Sequence, residues 1–157
     1  MRSMADTFGF DDSRVGVMGF SAGGHLAASI SVLPPADEGE RPDFSLLLYP
    51  VTTLSPENRT WLEETLFHRP MTTEERGRNS LVDRVTSATP PAFLAHAYDA
   101  DLVPIQESQE YAAALIAVGQ EVEVHFFARG GHGFGPGRPN DGTGRWLELA
   151  ADWMRRQ

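Results

Sequence analysis

The stretch Arg14-Val15-Gly16-Val17-Met18-Gly19-Phe20-Ser21-Ala22-Gly23-Gly24-His25-Leu26-Ala27 decides the fold. Its first half, Arg14 to Phe20, is short, β-branched and apolar, the composition of a strand buried on both faces. From Ser21 to Val32, Ala and Leu recur at helical spacing, and Pro34-Pro35 ends the run. Where the two halves meet, Gly19-Phe20-Ser21-Ala22-Gly23 has the pattern G-x-S-x-G. A strand entering a helix through that pattern predicts a sharp turn that holds Ser21 in a strained backbone conformation. Glycine is expected at both Gly19 and Gly23, because a Cβ at either would collide with neighbouring backbone. The turn exposes Ser21 Oγ at the strand's carboxyl end, and the helix N-terminus favours negative charge developing there. The N–H of Ala22 is then an oxyanion-hole donor. So short a pattern also arises by chance; the strand before it and the helix after it are what favour chemistry.

Working outward, the apolar clusters keep alternating between the two types. Phe44 to Tyr49 reads as a second buried strand, Ala92 to Tyr98 as a third after Pro90-Pro91, and Glu121 to Phe127 as a fourth. Between the last two, Ile105, Tyr111, Leu115 and Val118 form a helical stripe that Gly119 stops. Residues 57 to 88 are polar, with weak helical character at Trp61 to Phe67 and Thr72 to Val82. Residues 129 to 144 are a Gly-rich loop, and Trp146 to Met154 is an amphipathic helix. Strands alternating with helices predict an α/β fold with a mostly parallel sheet.

The chain has 157 residues, the length of one ordinary domain, 1–157. With no Cys, disulfides, thiolate metal sites and a cysteine nucleophile are excluded. A net charge of -9 argues against a nucleic-acid or anionic-membrane partner, since both would be repelled. The longest apolar stretch, Phe44 to Val51, falls far short of the roughly 20 residues of a membrane helix. The start, Met1 to Asp6, has no apolar signal-peptide core, so a cytoplasmic location is expected.

A nucleophilic serine needs a base. On this kind of fold the order is Ser, then Asp or Glu, then His. His132 lies in Gly130-Gly131-His132-Gly133-Phe134-Gly135, after the fourth strand, where glycines let a loop carry an imidazole over the turn. Its ordinary pKa suits a general base near neutrality. The remaining histidines have structural readings: His25 packing locally against the turn, His68 solvated, His96 satisfied in the core, His125 facing solvent. None has metal-ligand spacing, so no metal is expected.

Val15 to Ala27 closely resembles the nucleophile turn of α/β-hydrolase esterases of the acetyl-xylan-esterase and feruloyl-esterase-like group, relatives of the hormone-sensitive-lipase type. Pro90-Pro91-Ala92-Phe93-Leu94, Val103-Pro104 and Gly130 to Gly135 resemble later blocks of that group, in the same order. The resemblance implies Ser21 as nucleophile, His132 as base, short-chain acyl or acetyl esters as substrates, and no cofactor. It departs from the group's pattern twice. The group places its acid four residues before the Pro of the Val-Pro pair, and here that residue is Ala100. Asp99 and Asp101 flank it. Either serves as the acid after a one-residue shift of the loop, or both are solvated turn carboxylates. Without an acid, activity drops by a factor on the order of 10⁴. The group also carries about half its sheet and a His-Gly-Gly loop ahead of the serine, whereas here Ser21 comes early and no such loop precedes it.

The expected architecture is therefore a truncated α/β-hydrolase fold resembling the C-terminal half only: about four parallel strands with flanking helices. Its Arg14 to Phe20 strand becomes an apolar edge, an aggregation hazard unless covered. A homodimer through that edge is the expected cover, with a separate fragment or a covering helix as alternatives. The expected function is a serine esterase acting on small acyl esters. A degenerate half-domain serving as an interaction module is the competing reading, and a prolyl-oligopeptidase-type peptidase a weaker one. Trp61, Leu62, Leu66 and Phe67 are expected either to line an acyl pocket or to be core contacts of a short helix.

Overall fold

A computed structural model describes residues 1–33, 35, 40–54, 63 and 67–157. Helix α1 (Ala5–Phe8) follows a 3-10 turn at Arg2–Met4. Then come β1 (Gly16–Phe20), α2 (Ala22–Val32), β2 (Phe44–Leu48), α3 (Thr73–Asn79), β3 (Ala92–Ala97), α4 (Gln106–Ala117), β4 (Val122–Phe127) and α5 (Trp146–Met154). Among the described residues the four strands form one parallel sheet in the order β1-β2-β3-β4. The predicted strands and helices are all found where the residues are described, with ends moved by up to three residues. The stretch Trp61 to Phe67 lies largely outside the described residues. The short N-terminal helix had no sequence signal. Its segment is tied down by Arg2, which donates to Asp43 Oδ2 at 2.7 Å and to Arg41 O at 2.6 Å.

β2 and β3 are buried along their whole length, as their largely apolar runs predict, and they carry Ser45 and His96 inside with them. Alternate residues feed two layers. Phe44, Leu46 and Leu48 join Phe93, Ala95 and Ala97 under Trp146, Ala150 and Trp153 of α5. Leu47, Ala92 and Leu94 face the other way, against Ala27, Ala28 and Val32 of α2 and Tyr111 and Leu115 of α4. A third small cluster, Val51, Leu54, Met71 and Val103, packs beneath the loop after β2, with Phe67 against it. Phe67 thus makes a core contact, while Trp61, Leu62 and Leu66 fall outside the described residues. Among the described residues no helix is long and apolar enough to cross a membrane.

The two sheet edges differ. β4 carries Glu123, which accepts from His125 Nε2 at 2.9 Å and pairs with Arg156. The solvent-facing reading of His125 is corrected: the ring is half-buried, 5.3 Å from the Phe93 ring, because Phe93 on β3 packs beside it. β1 has no charged residue, and Met18 is 54% exposed. Nearby Phe8, Leu26 and Ile30 are exposed too.

Candidate active site

Ser21 joins β1 to α2 at φ 53 and ψ -120, a conformation that costs a non-glycine residue on the order of 1–3 kcal/mol. Its surroundings hold it there. The Ser21 N–H donates to Leu48 O at 2.9 Å, and its carbonyl accepts from His25 N–H at 3.2 Å and Val51 N–H at 3.4 Å. At Gly19 a Cβ would stand 2.1 Å from Gly23 O, so only glycine fits. The same expectation for Gly23 is corrected: a Cβ there meets nothing within 4 Å. The crowding falls one residue on, at Gly24, where a Cβ would lie 2.8 Å from Pro50 Cβ. Gly24 is the buried side of the first helical turn and Gly23 the exposed side. Ala22 opens α2 and is exposed, so its N–H has no partner within the helix.

His132 comes from the loop after β4. Its Nε2 lies 2.8 Å from Ser21 Oγ, the distance of a hydroxyl donating to an imidazole. With Nε2 accepting, Nδ1 carries the ring proton, and among the described residues this buried Nδ1 has no hydrogen-bond partner. Asp99 and Asp101 are both exposed. Asp99 Oδ1 accepts from the Gly131 N–H at 2.8 Å, one residue before His132. Asp101 acts on the imidazole through its charge. Burial pushes the His132 pKa below its ordinary 6.5, and the Asp101 charge opposes that shift. The imidazole is therefore mostly neutral at pH 7 and able to accept a proton.

Two site neighbours had no sequence signal. Tyr49, just past β2 and at φ 39, lays its ring 5.0 Å from the His132 ring at 68° and 4.7 Å from Phe134 at 74°. Its hydroxyl accepts from Gly135 N–H at 3.2 Å, and burial pushes the phenol pKa up. Glu107, in the first turn of α4, reads in sequence as an ordinary acidic helix start. It is fully buried instead and accepts from Thr52 N–H at 2.5 Å, Thr53 N–H at 2.6 Å and Thr53 Oγ1 at 3.0 Å. These bonds pin the loop whose Val51 carbonyl accepts from His25 Nδ1 at 3.2 Å, so His25 packs locally as expected.

His96 is the satisfied core histidine expected. Its Nδ1 lies 2.8 Å from Ser108 Oγ and its Nε2 3.0 Å from Val103 O. Burial pushes its pKa down to about 4. His68 is exposed, also as expected. Among the described residues no cluster of His, Asp or Glu could hold a metal ion.

A parallel α/β sheet with a strained serine after its first strand and a histidine over it defines the architecture of an α/β hydrolase. The chain belongs to that family: the family described as alpha/beta hydrolase fold matches residues 1–135. An acetylxylan esterase of Xylanibacter ruminicola is 31% identical over 99% of this chain and 33% of its own. An acetyl ester-xyloside bifunctional hydrolase from Caldicellulosiruptor lactoaceticus superposes with a TM-score of 0.85 at 32% identity, covering 99% of this chain and 61% of that one. A thermophilic esterase from Thermogutta terrifontis, solved with propionate bound, gives 0.77 at 29% identity over 99% and 60%. The chain thus spans a third of that curated relative and about 60% of these solved structures.

Proposed function

We propose that this chain is a serine carboxylic ester hydrolase acting on short-chain acyl esters, acetyl esters foremost. The observation that carries the reading is the 2.8 Å approach of Ser21 Oγ to His132 Nε2 at a strained strand-to-helix turn. Ser21 attacks the ester carbonyl while His132 Nε2 takes the hydroxyl proton. The Ala22 N–H stabilises the oxyanion. His132 then returns the proton to the leaving alcohol, and water releases the acyl group by the same steps. Similarity to an acetylxylan esterase and to an esterase solved with propionate supports small acyl groups. The test is hydrolysis of a chromogenic acetate ester by wild type and by Ser21→Ala. The variant is expected to lose at least about 10³-fold in kcat; equal rates would remove the catalytic reading.

One observation favours a second reading, a hydrolase half-domain kept as an interaction module: the orphaned Nδ1 of His132. Stoichiometric labelling of Ser21 by a fluorophosphonate separates the two, since only an activated serine reacts. In either reading the β1 edge calls for a cover. β1 lacks the charges that protect β4, and its apolar neighbours are exposed. A second copy pairing β1 to β1 about a twofold axis would cover both edges. Light scattering is expected to give a dimer at low micromolar concentration, and a stable monomer would discard it.

A further inference from the structure

The loop that carries His132 is chemically ill-suited to holding anything still. Gly130, Gly131, Gly133 and Gly135 all sit at positive φ, from 57 to 151. A glycine-rich backbone has more conformations to lose than any other. In a serine hydrolase the acid on the second ring nitrogen fixes the imidazole's tautomer and direction. Here Nδ1 is buried and has no partner among the described residues. Something else must set the ring within the narrow tolerance that proton transfer demands.

Two bonds bracket the histidine. Before it, the Gly131 N–H is held by Asp99 Oδ1 at 2.8 Å. After it, the Gly135 N–H is held by the Tyr49 hydroxyl at 3.2 Å, and the Gly135 carbonyl accepts from Trp146 Nε1 at 2.9 Å. Between these points the Tyr49 ring stands edge-on to the imidazole, and Phe134 is buried against the same ring. Asp99 follows β3 and Tyr49 follows β2, so both anchors are at the sheet end that carries Ser21. Asp99 therefore holds the backbone of the loop and Tyr49 holds both backbone and ring.

We propose that Asp99 and Tyr49 are positioning residues that clamp the Gly130–Gly135 loop on either side of His132, and that this clamp replaces a carboxylate bonded to Nδ1. The proposal rests on the esterase reading for its kinetic consequences but not for its geometry. It turns Asp99 from an acid of the triad into an acceptor for a backbone N–H. An amide oxygen can do that job, whereas an amide cannot serve as the acid.

The test compares Asp99→Asn with Asp99→Ala and Tyr49→Phe. Asp99→Asn keeps the acceptor and is expected to lose only about threefold in kcat, the difference between a charged and a neutral acceptor. Asp99→Ala and Tyr49→Phe each remove one hydrogen bond of the clamp, Tyr49→Phe leaving the ring contacts and the Trp146 bond to Gly135 in place. Asp99→Ala is expected to lose on the order of 10- to 100-fold in kcat and Tyr49→Phe about tenfold or less, with KM nearly unchanged. A loss on the order of 10⁴-fold in Asp99→Asn would make Asp99 the triad acid and overturn the clamp. A second readout needs no activity. The Gly131 amide proton and the His132 ring signals in NMR are expected to stay near wild type in Asp99→Asn and to shift and broaden in Asp99→Ala. Unchanged His132 signals in Asp99→Ala overturn the clamp. A wild type that neither turns over acetate esters nor reacts with a fluorophosphonate overturns the esterase reading alone.

Discussion

The two halves of the site are held by opposite means. The serine turn is fixed locally and by exclusion: Gly19 and Gly24 leave no room for a side chain, and Ser21 has its backbone bonded on both sides. The histidine loop is fixed from a distance and by attraction. Its anchors come from Asp99 and Tyr49, 32 and 86 residues from the glycines they hold. A turn held by collisions is either right or unfolded. A loop held by single hydrogen bonds can be loosened by degrees, so substitutions should act on stability in one half and on rate in the other.

The largest expected effect lies in the serine turn. Gly19→Ala drives a Cβ to within 2.1 Å of the Gly23 carbonyl, and overpacking of that kind costs up to about 3 kcal/mol. Gly23→Ala, in the same motif but facing open space, is expected to change stability by less than about 1 kcal/mol. Urea unfolding of the two variants measures both; equal losses would mean that the turn is not held by that collision.

The histidine half is sharpened at the turn between Asp99 and Asp101. The family resemblance puts the acid at Ala100, and the orphaned Nδ1 is the group that an acid would meet. Ala100→Asp is therefore expected to raise kcat, by roughly tenfold or more given what the acid contributes elsewhere, with little change in melting temperature. No gain would mean that a carboxylate at position 100 does not reach the ring.

The smallest effect concerns charge alone. His132 must be neutral to act as base, so activity falls as pH drops through its pKa. Burial holds that pKa below 6.5 and Asp101 raises it in part. Removing the charge in Asp101→Asn lowers the pKa further, so the acid limb of the kcat/KM profile moves to lower pH. A limb that moves up, or stays fixed, would show that Asp101 does not act on the base.

The same contrast explains what the sequence made legible. β1, α2 and the serine turn are contiguous, so their apolar runs and the G-x-S-x-G spacing carry the whole geometry, and the architecture followed from them. His132 was readable from its glycines and its place in the order. The clamp was not. Nothing near Tyr49 signals a bond to a loop many residues later, and Asp99 reads as a candidate acid for His132 rather than as an acceptor for the Gly131 N–H. Glu107 looks like any acid at a helix start until burial brings Thr52 and Thr53 onto it. The motif's second glycine misled for a related reason: which of Gly23 and Gly24 is crowded depends on Pro50, beyond the end of β2.

The strands lie in the sheet in the order in which they occur in the chain, and this sets a timetable. During synthesis the N-terminal part emerges first, so Ser21 leaves the ribosome 111 residues before His132. A strand that docked as it emerged would find its neighbour in the sheet already in place, and His132 would arrive only with the loop after the last strand. Until then Ser21 would lack the His132 imidazole on which its proposed reactivity depends. Labelling of Ser21 would therefore report that β4 has docked, making the proposed nucleophile a clock for the completion of its own sheet.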